Sequence, residues 1–103
     1  MRMIMIENDT IMFMKLCEDF VTSSKVLRDA SALCDGDPIK QEMISFIIPD
    51  FMKMCARSEG IKISLQSERF GENREFIIDE MKNIIKENLN LARKIEDKLG
   101  CLR

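Results

Sequence analysis

The chain has no His, no Trp and no Tyr among its 103 residues. Without His, the Ser-His-Asp and Cys-His arrangements are excluded, as are histidine phosphotransfer and every metal site built on imidazole. Without Trp and Tyr, the best stacking platforms for single-stranded nucleic acid are missing. Turn residues are equally scarce, with four Gly and two Pro. So few breakers cannot supply the many turns of a β-sandwich or barrel, so most of the chain is expected to be helix. No apolar run approaches membrane-spanning length, and Met3–Ile6 is too short for a signal peptide before Glu7 and Asp9 end it. A soluble cytoplasmic protein with no membrane partner is the expectation.

Charge of one sign is lacking too. The net charge is -2, and positive and negative residues number 4 and 5 in residues 1–34, 5 and 6 in 35–71, and 7 and 7 in 72–103. No third of the chain carries the basic footprint that phosphate backbones require, so no nucleic-acid partner is expected. The four Cys (Cys17, Cys34, Cys55 and Cys101) contain no CxxC pair. In a reducing compartment they read as free, buried thiols, and no metal or cofactor is expected.

What is present is an ordinary globular balance, 46% hydrophobic and 33% charged, in one domain spanning 1–103. From Asp9 to Cys34, apolar residues recur at Phe13, Leu16/Cys17, Phe20, Leu27, Ala30 and Cys34, with Ser24 in the remaining position. That three-four spacing is one face of a helix. Asp35-Gly36 ends it, and Asp37-Pro38 opens the next, with Asp as cap and Pro at the first helical position. The second helix carries Ile39, Met43, Phe46, Ile47, Met54 and Cys55 and should end near Glu59-Gly60. Pro49 kinks it, or breaks it with Asp50 as a new cap, because proline removes a hydrogen bond and crowds the preceding turn. Residues 61–70 alternate, with Ile61, Ile63 and Leu65 between Lys62, Ser64 and Gln66. Extended structure and a short helix from Ser64 to Phe70 both remain open. Met1–Ile6 and residues 61–70 fall at the same end of the bundle, and the alternative to self-association is that both fold over the excess apolar surface, even as a two-stranded ribbon, which alone would be marginal. The last helix, Glu72 to Leu99, has the seam Ile77/Ile78, Met81, Ile84/Ile85, Asn88, Leu91/Ala92, Ile95 and Leu99. The sum is an all-α fold, an antiparallel up-down-up three-helix bundle that becomes four-helix if the second helix breaks at Pro49.

Axial levels in this bundle place Cys17 near Cys55 and Cys34 near Cys101, which would permit a disulfide or thiolate site only if directions agree. Asn88 is a polar break in an apolar seam. It either fixes register in an assembly or lies solvated at the seam's edge. Glu72-x-x-Glu75 resembles half of the ExxE…ExxD pattern of the all-helical nucleotide pyrophosphohydrolases. The second half is absent, since Asn90 follows Glu87 and Leu99 follows Glu96. The acids read as caps and solvated faces. No arginine among Arg28, Arg57 and Arg93 is singled out by spacing.

The apolar residues exceed what a narrow seam needs. Met12, Met14, Met52, Met54, Ile78, Ile85 and Leu89 form the candidate interaction surface. The expected function is a helical protein–protein interaction module that forms a homodimer and accepts a partner helix. The alternative is a small helical-dimer enzyme or ligand-binding protein, with carboxylates holding Mg²⁺ and nucleotide, or Arg, at a subunit interface.

Overall fold

A computed structural model describes residues 2–100, with side chains from residue 9 onward. It is an all-α bundle: α1 (Arg2–Ala32), α2 (Pro38–Met43), a 3₁₀ turn (Ser45–Ile47), α3 (Ile48–Leu65), a second 3₁₀ turn (Phe70–Glu72) and α4 (Arg74–Gly100). No strand forms among the described residues. The alternative of a ribbon between residues 1–6 and 61–70 is ruled out, because the chain is helical from Arg2 onward and again at Ile61–Leu65.

α4 is the spine. Ile77, Met81, Ile84, Asn88, Leu91, Ala92, Ile95 and Leu99 are all buried, which is the seam read from the sequence. Of each isoleucine doublet, the first member is buried and the second half-buried. Phe20, Leu27 and Ala30 of α1, and Cys34 in the turn that follows it, pack into the same core, flanked by Leu16 and Cys17. On α1, Ser23 rather than Ser24 is the buried serine. Below them Phe13 meets Phe70 at 5.5 Å between ring centroids, and the Arg74 guanidinium lies 5.7 Å from the Phe13 ring. α4 thus begins level with Phe13, and the turns of α1 before it extend past the start of α4. The molecule measures 56 × 24 × 18 Å.

The first connection follows its residue chemistry. Gly36 takes φ +75°, a left-handed conformation that L side chains adopt at a cost. Asp37 then caps α2 by accepting hydrogen bonds from the backbone N–H of Ile39 at 3.1 Å and of Lys40 at 3.2 Å. The second helix does break before Pro49, but Asp50 is not its new cap. It lies in the first turn of α3, with Ile47 at the cap position and Pro49 inside the opening turn. There the missing N–H of proline would have had no helical partner.

This break re-phases the apolar face. The intervening 3₁₀ turn advances three residues per turn rather than 3.6, so α3 does not continue the stripe of α2. Ile44, Ile47 and Met54 are buried, while Ile39 and Phe46 are exposed. Phe46 is instead covered on one side by the Lys98 ammonium, 6.0 Å from its ring.

α3 does not stop at Gly60. It runs on to Leu65, so the alternation read in residues 61–65 is not a strand. The physical reason is a seam continuing from above: Met54, Ser58 and Ile61 are buried and Leu65 is half-buried, at intervals of four, three and four. Gly60 lies on the exposed side in helical conformation, with open space where a Cβ would go. Gly60→Ala is therefore expected to stabilise the fold by about 1 kcal/mol, read as a rise in Tm of roughly 4–8 °C. A fall in Tm would show that residues 61–65 are not helical in solution. No described helix is long and apolar enough to cross a membrane.

Candidate functional site

α1 and α3 both pack against α4, yet they make little contact with each other. The side chains dictate this. The inward faces of both helices are spent on α4, and their neighbouring flanks carry small or polar groups (Ser24, Ser58 and Arg28) where apolar knobs would be needed to close the gap. What remains is a cleft of about 130 Å³. Phe20, Val21, Ser24 and Leu27 form one wall, and Phe51, Met54, Cys55 and Ser58 the other. Arg28, Glu59 and Lys62 also line it. Lys62 Nζ pairs with Glu59 at 3.1 Å, whereas among the described residues no ion pair takes up Arg28.

Asn88 forms the floor, 1% exposed. It is no solvated edge residue. Its Nδ2 donates to Ser23 Oγ at 3.3 Å and to Ser24 Oγ at 3.4 Å. Both serine hydroxyls donate onward to the Phe20 carbonyl oxygen at 3.0 Å. The serine protons are thereby committed, so the serine oxygens can only accept, and the amide must present nitrogen to them. Asn88 Oδ1 is left buried and without a donor. Most buried polar atoms in native proteins are paired, which marks this one as exceptional.

A second hollow of about 220 Å³ lies between α3 and α4, lined by Asp50, Lys53, Arg57, Glu87, Asn90 and Lys94. Arg57 is its centre. Its guanidinium donates to Glu80, through Nε at 3.0 Å and through a second, short contact, and also pairs with Glu87. The hydrogen bond to Glu80 leads in raising the pKa of Arg57 above its ordinary value, against the opposing effect of burial. Glu80 and Glu87 stand seven residues apart on α4, so both face α3. That spacing was visible in the sequence, but the partner was not. Both acids are engaged by the single charge of Arg57, and no group of three or more metal-ligating side chains forms among the described residues. The structure does not bring Glu72 and Glu75 to a second acidic pair. Both are exposed near the start of α4.

The seven apolar candidates do not form one surface. Met12, Met14 and Met52 are 70%, 65% and 65% exposed, and Leu89 is 42% exposed. Met54 lies in the core, and Ile85 packs partly buried against it. Ile78 is half-buried. Met14 lies one heptad before Val21 and so on the cleft side of α1, whereas Met12 turns about 200° away from Met14. Met52 is three residues from Cys55 on the cleft side of α3. Leu89 is on α4, next to the buried Asn88. Val21 and Phe51 were missed, and both have a signal. Val21 repeats Met14 at seven residues, and Phe51 precedes the Met52–Met54 pair.

Cys17, Cys34 and Cys55 are free thiols, half-buried, buried and exposed respectively, so Cys17 and Cys55 are not bridged. Burial pushes the thiols of Cys17 and Cys34 up, which leaves them less thiolate and less reactive. The level shared by Cys34 and Cys101 falls outside the described residues.

No protein-family model matches this chain, and no characterised protein or solved structure matches it either. The functional reading therefore rests on the residues and their geometry alone.

Proposed function

We propose that this chain is a small protein–protein interaction module that works by packing apolar helix faces, in the first place against a second copy of itself. The observation that carries the reading is the open seam between α1 and α3, two helices that share a spine and scarcely meet. Val21, 61% exposed, and Phe51 line this seam, and Met14 and Met52 extend its apolar flanks by helical spacing. Exposed apolar side chains on the two flanks of an open groove are favoured to leave water, and a bundle with one open side is completed by another helix.

Self-association makes stability depend on concentration, because only the folded chain can pair. The Tm is expected to rise by several degrees over a hundredfold increase in protein concentration. In Val21→Asp the rise should vanish while helix content stays the same, since a carboxylate in the seam must be desolvated to pair. Val21 is a cleaner position than Ile85, where a charge would strike the core. A wild-type Tm independent of concentration would contradict the reading.

A further inference from the structure

We infer that the second copy places its own α1 in the α1/α3 seam, antiparallel to the first, about a two-fold axis at Val21. The inference rests on the self-association proposed above and adds its geometry. On the seam side of α1, Met14, Glu18, Val21, Lys25 and Arg28 recur at intervals of four, three, four and three. That spacing keeps all five on one face of the helix, two apolar and three charged. Its charges are segregated around the centre. The acid Glu18 lies before Val21, and the bases Lys25 and Arg28 lie after it. All three are exposed, and among the described residues none of them is taken up in an ion pair.

Segregation of this kind is self-complementary in one direction only. With Val21 over Val21, an antiparallel pair sets Glu18 within one residue, about 1.5 Å along the axis, of the level of Lys25 of the second copy, and the reverse contact repeats by symmetry. Arg28 then lies level with Met14 of the second copy, its guanidinium one turn from that copy's Glu18. A parallel pair would set Glu18 against Glu18 and Lys25 against Lys25, which is repulsive. A two-fold contact must bring one patch to the same patch on the partner, and only the antiparallel arrangement does so here with opposite charges meeting.

Size points the same way. From Met14 to Arg28 the stripe is only about 21 Å long, and one helix pair of that length falls short of the roughly 800 Å² per partner of a standard interface. Seating α1 within the seam adds the α3 wall, with Phe51 and Cys55, and symmetry adds it twice.

The test is a charge exchange read by sedimentation equilibrium on the full chain. Glu18→Lys and Lys25→Glu are both surface changes, so circular dichroism should show unchanged helix. Each variant alone is expected to raise the dimer dissociation constant about tenfold or more. An equimolar mixture of the two should recover wild-type affinity as a mixed dimer. In that dimer both seam positions are basic in one chain and acidic in the other, so opposite charges meet at each contact. Recovery in the mixture after loss in both singles supports the antiparallel seam. A dimeric wild type whose single variants pair as well as it does would overturn this geometry and leave self-association standing. Failure of the mixture to recover would overturn the geometry in the same way. A monomeric wild type would overturn both.

Discussion

Ile84→Ala is expected to remove about 2–5 kcal/mol of folding stability. Ile84 is 0% exposed at the middle of α4, where the core contributions of α1 and α3 converge on the spine. Truncation removes three carbons from water-free packing and leaves a cavity that two long, stiff helices can close only in part. Small domains are held by about 5–15 kcal/mol in total, so the loss is a large share of the whole. The Tm should drop by roughly 4–8 °C for each kcal/mol lost. Denaturant unfolding at fixed protein concentration measures it, with the midpoint shifted and the slope unchanged. Leu89→Ala is the companion control on the same helix. At 42% exposed, Leu89 should matter by no more than about 0.5 kcal/mol. A loss at Ile84 no larger than that at Leu89 would mean that α4 is not the spine.

Asn88→Leu should have the opposite sign. The buried Oδ1 accepts nothing, and an unsatisfied buried acceptor costs about 1–3 kcal/mol. Replacing the amide by an apolar side chain removes that penalty. It leaves Ser23 and Ser24 with the Phe20 carbonyl as their acceptor, so no new orphan proton is created. Leucine is bulkier than asparagine, and the adjacent cleft provides the room. A gain of about 1–3 kcal/mol is therefore expected from equilibrium unfolding. A loss of similar size would show that Oδ1 receives a donor in solution. In that case a polar seam residue acts as a specificity device in the assembled protein, as a buried asparagine does in coiled coils.

The fold was legible where the apolar period ran unbroken. Every buried position of α4 belongs to the seam readable from spacing alone, because one long amphipathic helix against a core needs no tertiary information. The Gly36–Pro38 turn was legible for a different reason. Each of its residues has a narrow conformational menu, and the three menus agree. The misread stretch, 61–65, shows the limit. Ile61, Ile63 and Leu65 alternate, but Ile61 and Leu65 also continue the line of Met54 and Ser58, and the polar Ser58 concealed that line. Exposed Ile63, at 69%, is the residue that created the false alternation.

The candidate site was legible only in part. Periodicity shows which face of a helix is apolar, not which neighbour covers it. Met54 is thus in the core, while Met14, of the same residue type, is left bare. The pairing of Arg57 with Glu80 and Glu87 depends on the axial register of α3 against α4. That register is set in turn by the 3₁₀ turn before Pro49, whose length no spacing rule announced. The open flank between α1 and α3 is an arrangement of three helices and has no signature in any one of them.

The central claim is that one copy of the chain leaves an open seam between α1 and α3 that a second copy fills. The most direct test is the mass of the wild-type chain by sedimentation equilibrium at micromolar concentration. The account expects twice the 12.0 kDa of the single chain, falling toward the single mass on dilution. A mass of 12.0 kDa at every concentration up to the millimolar range would contradict it.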